Sequence, residues 1–276
     1  MKAKSKKISV LVAQFPITLN IQQNLKAILS IISCAEQGDL IVLPEGSLSG
    51  YAENPSFLHN INTATLTESL HQLQAEVMRR QPHIIFGSCL QENNSWYNAG
   101  IYYGPQGETF KYRKINLANS ERGHFTAGSQ LPILELFLQG TIVKLGIQLC
   151  REIRFPEQWQ YLARAGAELF VYLTNAVGDE TIAPVWRSHL ISRAAENQRF
   201  ILAANNAQPG QKCPSMIIAP SGQVIWEVLS SKREHVRCTI DLTAVSNWYL
   251  SQSRDDIINL HSSKSSFKCN NNNLEN

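Results

Sequence analysis

The stretch Val143–Trp159, "VKLGIQLCREIRFPEQW", joins an apolar run to a charged segment and then to a proline. The run that ends at Leu149 is typical of a buried β-strand, and Pro156 stands where a helix can begin. Cys150 is therefore predicted to lie in a turn between a strand and a helix, where backbone N–H groups stabilise negative charge on sulfur or on a reacting oxygen. This position favours a nucleophile over a packed core cysteine, with the following charges at the rim of its pocket. Ion pairs within a loop would also explain those charges.

On both sides of this stretch, segments typical of strands alternate with segments typical of helices. The runs "DLIVLPEG" and "HIIFGSCL" predict buried strands, and each follows a segment whose apolar residues recur at helical spacing. Further on, a helix is predicted as far as Gly166, then a strand, then a long helix from about Pro184 to Asn197. Hairpin turns are predicted at 139–140 and at 221–222. Strands that alternate with helices imply the α/β class.

The composition suits one globular domain with a sizeable core, since 43% of the 276 residues are hydrophobic and 17% are charged. We place that domain at residues 1–261 and expect the polar segment "SSKSSFKCNNNNLEN", residues 262–276, to be disordered. The net charge of +3 is scattered apart from the basic start "MKAKSKK", and no apolar run approaches the roughly 18 residues that span a bilayer. We therefore expect a cytoplasmic protein with neither a nucleic-acid nor a membrane partner.

The cysteines and histidines show no spacing typical of a metal site or a disulfide framework. There is no C-x-x-C pair and no H-x-x-x-H or similar pattern, so neither a metal nor a cofactor is predicted. In a reducing compartment most such thiols are small buried hydrophobes, and only local context singles out one of them. The six cysteines are Cys34, Cys89, Cys150, Cys213, Cys238 and Cys269.

Two more reactive residue types are predicted at strand ends. Glu45, in "IVLPEGSLSGY", follows an apolar run and a proline, and Lys114, in "FKYRKINLANSERGHF", lies near the end of a strand pattern. In open α/β sheets, ligands bind at strand ends because the strands fix side chains there while loops shape the pocket. Taken alone, each residue is more readily explained by a solvated loop.

Together and in this chain order, these segments resemble the nitrilase, or carbon–nitrogen hydrolase, superfamily. The resemblance runs from Lys7 to about Val245, and "LPEGSLSGY", "YRKINLANSERGHFTAG" and "GIQLCREIRFPEQWQYLARAGAEL" carry it, with further matches in "TNAVGD", "WRSHLISRAAENQRFILAANNA" and "IIAPSGQVI". It implies a catalytic triad of Glu45, Lys114 and Cys150. The second glutamate of the family falls on Glu121 in "NSERGHF".

The resemblance also implies a four-layer α-β-β-α sandwich and a homodimer that packs sheet to sheet. Two positions depart from the family pattern. Relatives that cleave nitriles typically have tryptophan and glutamate after the cysteine, whereas this chain has Arg151 and Glu152, which favours an amidase over a true nitrilase. The position after Ile115 is often histidine in relatives and is Asn116 here.

The residue types fit the hydrolysis of an amide, which needs a strong nucleophile, an oxyanion site and a proton donor. In this hypothesis Glu45 takes the thiol proton of Cys150 and returns it to departing ammonia. Lys114 and the backbone N–H of Arg151 stabilise the oxyanion, and the lysine charge favours the thiolate. Glu121 orients Lys114, unless it forms an ordinary surface ion pair.

We expect a small linear amide or carbamoyl compound as substrate, with an acyl-enzyme on Cys150. A Cys–His hydrolase that uses His124 or His189, or an inactive interaction module, remain alternatives. Arg151 and Glu152 would bind a charged substrate group or pair with each other, and for Trp186 helix packing is as good an explanation as substrate contact. The candidates for substrate contact are Tyr51, His124, Phe125, Arg151, Glu152, Asn175 and Trp186.

Overall fold

The computed structural model describes residues 6–176, 181–254 and 266–268. In these ranges the chain forms four α-helices and thirteen β-strands, together with short 3₁₀ turns. The helices are α1 (Ile21–Ile32), α2 (Thr63–Arg80), α3 (Pro156–Arg164) and α4 (Ile182–Asn197). The strands are β1 (Lys7–Gln14), β2 (Leu40–Val42), β3 (His83–Glu92), β4 (Ser95–Tyr103), β5 (Thr109–Arg113), β6 (Ile133–Leu138), β7 (Thr141–Leu149), β8 (Leu169–Thr174), β9 (Phe200–Asn205), β10 (Ser215–Ile218), β11 (Val224–Val228), β12 (Glu234–Asp241) and β13 (Ser266–Lys268).

The strands form two mixed sheets. The first sheet has six strands in the order β12-β1-β2-β3-β4-β5, and the second has seven in the order β11-β10-β9-β8-β7-β6-β13. Strands β1, β2 and β3 run parallel, as do β7, β8 and β9, while hairpins such as β3–β4 and β6–β7 are antiparallel. Parallel neighbours bring their carboxyl ends to the same edge, so each sheet gathers several strand ends at one place.

Three apolar layers separate four layers of secondary structure. The central layer lies between the sheets, where residues such as Val10 and Tyr102 of the first sheet meet Ile147 and Leu173 of the second. A second layer joins α1 and α2 to the outer face of the first sheet, and a third joins α3 and α4 to the outer face of the second. The predicted α/β sandwich with the layer order α-β-β-α is therefore confirmed.

Local patterns place most of these elements where the sequence predicts them. Helix α3 begins at Pro156 and is followed by Gly166, whose φ of +100° is the left-handed conformation that glycine adopts readily. Helix α4 begins at Ile182, two residues before the predicted start, because a proline in the first helical turn has no N–H to be left unpaired.

The terminal segment only partly falls within the described residues. Of the segment predicted to be disordered, 262–276, only Ser266–Lys268 is described, and its backbone pairs in parallel with β6 instead of lacking structure. Disorder of the other residues stays a prediction that lies outside the described ranges. None of the helices that the structure describes is both long and apolar enough to cross a membrane.

Candidate active site

Three strand ends bring reactive side chains together at one edge of the sandwich. Glu45 lies three residues beyond β2, Lys114 directly follows β5, and Cys150 directly follows β7. The ammonium group of Lys114 lies 3.2 Å from Glu45 Oε1 and 2.9 Å from Glu121 Oε2, and all three side chains are at most 1% exposed. The sequence predicts that Glu45, Lys114 and Glu121 lie together. An isolated buried charge would be very costly. Here the single cation is paired with both carboxylates.

Asn98 on β4 links the two carboxylates from a second side. Its Nδ2 donates hydrogen bonds to Glu45 Oε1 and to Glu121 Oε1, both at 2.7 Å, and its backbone C=O accepts from the N–H of Lys114 at 2.9 Å. Glu121 also accepts from the Tyr51 hydroxyl at 3.0 Å. Asn98 is not among the residues that the sequence predicts for the site. Its position could have indicated a role, because asparagine is rare in strands and this one lies in the middle of an apolar strand pattern.

The loop that carries Glu45 rests directly on a glycine of β3. A Cβ atom added to Gly87 would lie 2.4 Å from the Glu45 Cα and 2.5 Å from the Gly46 N, both of them backbone atoms. Two backbone hydrogen bonds hold the loop against this strand, from Gly87 N to Pro44 O at 3.0 Å and from Leu48 N to Gly87 O at 3.2 Å. The absence of a side chain at Gly87 therefore fixes the depth at which Glu45 lies.

The nucleophile candidate lies in the predicted turn after a strand, and the backbone of this turn is strained. Cys150 has a φ of +40°, which a residue with a Cβ rarely adopts, and it begins a 3₁₀ turn that ends at Arg154. Such conformations cost about 1–3 kcal/mol and persist only where the surroundings enforce them. Here the Tyr172 hydroxyl donates to the Cys150 carbonyl at 2.8 Å. The turn is thus held from the neighbouring strand β8.

Glu152 is not at the rim, and this corrects its prediction as a substrate contact. Its side chain is fully buried and accepts four close hydrogen bonds from two separate parts of the chain. Oε2 accepts from the N–H of Leu149 at 2.8 Å, while Oε1 accepts from the Tyr112 hydroxyl at 2.7 Å and from the N–H groups of Ile115 and Asn116 at 2.9 and 3.2 Å. Among the described residues it forms no ion pair with Arg151. Donors that surround a carboxylate this closely leave it no room for substrate.

The electrostatics divide the carboxylates into two kinds. Burial raises the pKa of Glu45, and the neighbouring Glu121 charge adds to that rise while Lys114 opposes it. Burial also acts to raise the pKa of Glu121, but Lys114, the Ala118 N–H and the Asn98 amide outweigh it and hold that pKa below its usual value. Glu121 is thus the fixed counter-ion of Lys114, and Glu45 is the carboxylate that holds a proton more readily.

The thiol of Cys150 is protonated at rest. Burial and then the charge of Glu45 raise the pKa of Cys150 to about 12, and Lys114 only partly offsets them. Lys114 lowers the pKa of Cys150, as predicted, but by less than burial raises it. The net direction of this shift favours the protonated thiol over the thiolate.

A cavity of about 500 Å³ opens onto Cys150. Of the predicted contact residues, Tyr51, Arg151, Asn175 and Trp186 line it, whereas Glu45 and Lys114 lie deeper. Arg154 also lines it, with its guanidinium carbon 5.2 Å from the centre of the Trp186 ring. Two buried donors in this wall, Asn175 Nδ2 and Trp186 Nε1, have no hydrogen-bond partner among the described residues. The cavity wall therefore presents the positive charge of Arg151 and Arg154 to a ligand, whereas these two nitrogen atoms are themselves buried.

The structure places His124 and Phe125 away from the cavity wall. Phe125 is 5% exposed and stacks on Tyr51, with ring centroids 6.5 Å apart, so it supports a residue of the wall instead of forming the wall. His124 is exposed, and within the described ranges neither His124 nor His189 lines the cavity. The geometry therefore gives no support to a Cys–His hydrolase.

Known proteins share this fold. The family model for carbon-nitrogen hydrolases matches residues 10–249. The (R)-stereoselective amidase of a Pseudomonas species is 31% identical over 233 residues, which cover 81% of this chain and 78% of that protein. The 2-oxoglutaramate amidase of Bacillus subtilis is 31% identical over 218 residues, covering 75% of this chain and 80% of that protein.

A solved structure extends the likeness to the whole fold. It is a mutant of the amidase from Nesterenkonia sp. AN1 that shows covalent addition of the acetamide moiety of fluoroacetamide at the active site cysteine. It superposes with a TM-score of 0.79 at 23% identity and covers 92% of this chain and 97% of that chain. This chain belongs to the carbon–nitrogen hydrolase family of the nitrilase superfamily, and it is a hydrolase of the amidase-like branch.

Two glycines that face each other across β3 and β4 give a matched test of the seat of Glu45. Gly87 and Gly100 are cross-strand partners, but a Cβ at Gly100 would meet the side chains of Ile147 and Leu173 at 2.8 and 3.3 Å, not backbone. We expect Gly87→Ala to displace Glu45 and to lower kcat/KM for a short amide by about 100-fold. Gly100→Ala should lower the free energy of unfolding by about 1–3 kcal/mol and keep kcat/KM within a few-fold.

Urea unfolding and ammonia release, measured on both variants, separate the two effects. Equal loss of activity in both, or full activity in Gly87→Ala, would contradict the role given to Gly87.

Proposed function

We propose that this chain is a thiol amidohydrolase that cleaves the C–N bond of a small linear amide or carbamoyl compound, with an acyl-enzyme on Cys150 and release of ammonia. The observation that carries the proposal is the buried ion-pair cluster in which Lys114 lies within 3.2 Å of both Glu45 and Glu121. The charge of this cluster alters the pKa of Cys150, so the thiol lies within its electrostatic reach. A nucleophile, a base and a fixed cation at one site are the groups that amide hydrolysis needs.

In the first step, the sulfur of Cys150 attacks the amide carbonyl as its proton moves to Glu45. The high pKa of the thiol supports a coupled transfer, because a separate thiolate would be disfavoured next to the Glu45 charge. The C–S bond forms, and the carbonyl π electrons move onto oxygen. Lys114 faces this oxyanion as the one cation of the cluster, and one such donor typically contributes ~10²–10³ in rate. The 3₁₀ turn that begins at Cys150 supplies the N–H of Arg151 as a second donor.

In the second step, the tetrahedral intermediate collapses and the C–N bond breaks. Glu45 gives the proton it took from sulfur to the departing nitrogen, so ammonia leaves as a neutral molecule. Water then attacks the thioester while Glu45 accepts one of its protons. The C–S bond breaks, Glu45 returns that proton to sulfur, and the product leaves as a carboxylic acid that ionises in solution. A carboxyl group with a raised pKa suits both directions of this transfer, because it is neither too weak a base nor too weak an acid near neutral pH.

The cavity wall supports a substrate that is small and that carries an anionic group beyond the amide. A cavity of about 500 Å³ fits a compact molecule, and Arg151 and Arg154 put two positive charges beside it. Arginine guanidinium groups bind carboxylate oxygens through charge-assisted hydrogen bonds. The B. subtilis relative is named for 2-oxoglutaramate, an amide that bears a carboxylate, and this chemistry matches the wall.

Labelling by fluoroacetamide tests the nucleophile. We expect the wild-type chain to gain the mass of one acetamide moiety, located on Cys150 by peptide mapping, and to release ammonia from short amides. Cys150→Ala should lose both, and Glu45→Gln should lower ammonia release at least 100-fold because the base is removed. Cys34→Ala, at an exposed cysteine, is the control and should keep both. An unlabelled Cys150 in a folded chain that turns over no amide would refute the proposal.

A pair of amides of equal length tests the anion site. For the wild-type chain we expect kcat/KM to be higher for succinamate than for butyramide, because only succinamate offers a carboxylate to the arginines. Arg154→Gln should lower the ratio of the two values by about tenfold, a modest figure because the side chain is partly in solvent. Arg79→Gln, on the exposed face of α2, should leave the ratio unchanged. A ratio that is the same in all three proteins would remove the arginines from substrate recognition.

A further inference from the structure

The hydrogen-bond donors around Glu45 are distributed unevenly between its two oxygens. Oε1 accepts from Asn98 Nδ2 at 2.7 Å and from Lys114 Nζ at 3.2 Å. Oε2 is buried and accepts no hydrogen bond from the residues that the structure describes. A proton that binds to Oε1 would have to displace a donor, whereas a proton that binds to Oε2 would not. The two oxygens of this carboxyl group are therefore chemically distinct.

Asn98 is itself held in one orientation. Its amide nitrogen donates to Glu45 and Glu121, and its Oδ1 is buried without a partner among the described residues. A flipped amide would point an oxygen at two carboxylates, which would repel it, so the network assigns nitrogen to the inner position. The asparagine is 1% exposed and lies opposite Cys89 in the register of β3 and β4, where a rigid sheet supports it.

We propose that Asn98 is a positioning residue that holds Glu45 by Oε1 and leaves Oε2 as the oxygen that exchanges protons with Cys150 and water. Its amide nitrogen donates to both carboxylates, so Asn98 holds Glu45, which exchanges protons, in a fixed position beside Glu121, which stays charged. This inference rests on the proposed function, in which Glu45 is the base. It adds a residue that does not touch the reacting atoms.

The role predicts a definite direction for the pH dependence. Removal of a donor to Glu45 raises the pKa of that carboxyl group, and the free enzyme needs Glu45 ionised, so the acid limb of kcat/KM should move to higher pH. The titratable groups that interact with Glu45 come from β3 and β8, from the loops after β2 and β5 and from the turn after β7; they are Cys89, Tyr172, Tyr51, Lys114, Glu121 and Cys150. All of these remain in the variants, so the shift reports on the amide alone.

Two substitutions at one position test the inference. Asn98→Ser keeps one hydroxyl donor, which can serve only one carboxylate at a time, and it should move the acid limb up by about one pH unit. Asn98→Asp has the same shape and adds a third acidic group, so it should move the limb further and lower kcat/KM at pH 7 by at least tenfold. Activity of the Ser variant should return toward the wild-type value above the shifted limb, which a merely structural defect would not produce.

Asn197→Asp and Asn197→Ser provide the matched control, since Asn197 is also 1% exposed but bonds within α4. They should leave the acid limb in place. If the wild-type chain neither releases ammonia nor is labelled at Cys150, the proposed function fails and the inference fails with it. If the wild-type chain is active and folded Asn98 variants keep its pH profile, only the role of Asn98 fails. Loss of the fold in both Asn98 variants would make Asn98 a structural residue and would also overturn the inference.

Discussion

The carboxylate of Glu152 is the contact on which the geometry of the site depends. It accepts hydrogen bonds from the hydroxyl of Tyr112, in β5 of the first sheet, and from the N–H of Leu149, the last residue of β7 in the second. It also accepts from the two N–H groups that follow Lys114. One buried group therefore joins the strand that carries the lysine to the strand that carries the cysteine. Because buried acceptors are expensive to leave unpaired, this arrangement resists any shift of one sheet against the other.

The charges behind the cysteine form an uneven set of one cation and two carboxylates. Glu121 takes two contacts from Lys114 and a backbone N–H from Ala118, so it behaves as the fixed counter-ion of the lysine. Glu45 shares the same lysine through a single oxygen, and burial raises its pKa. The surplus negative charge therefore rests on Glu45 and can be neutralised by one proton. The same charge raises the pKa of Cys150. In the resting site the thiol of Cys150 and the carboxylate of Glu45 compete for one proton. In the proposed mechanism this competition ends when the sulfur bonds to the carbonyl carbon of the substrate.

The sequence predicts the elements that carry the site better than it predicts the contacts within it. Glu45, Lys114 and Cys150 follow strands, and strand ends can be recognised from apolar runs and prolines. Asn98 and Gly87 lie inside strands, where a local pattern does not show which loop crosses above them. Glu152 is assigned to the rim because it stands between two arginines, yet a 3₁₀ turn points alternate residues in different directions. Strand β12 lacks a prediction, since polar residues such as His235 and Arg237 alternate with its apolar face and blur the run.

The division between buried cluster and open wall separates the chemistry from the choice of substrate. The charged groups lie just beyond strand ends, where Glu45, Glu121 and Lys114 hold one another by mutual contacts and Asn98 of β4 joins the two carboxylates. The wall is formed differently, because Tyr51, Arg151, Arg154 and Trp186 reach it from loops and from a helix, and the arginines keep part of their surface in solvent. Substitution of the arginines alters the charge presented to a ligand without touching the ion pairs of Lys114, whereas Tyr51 also donates to Glu121. One catalytic arrangement can therefore serve amides with different substituents, and the arginines beside Cys150 are the feature by which this chain would select among them.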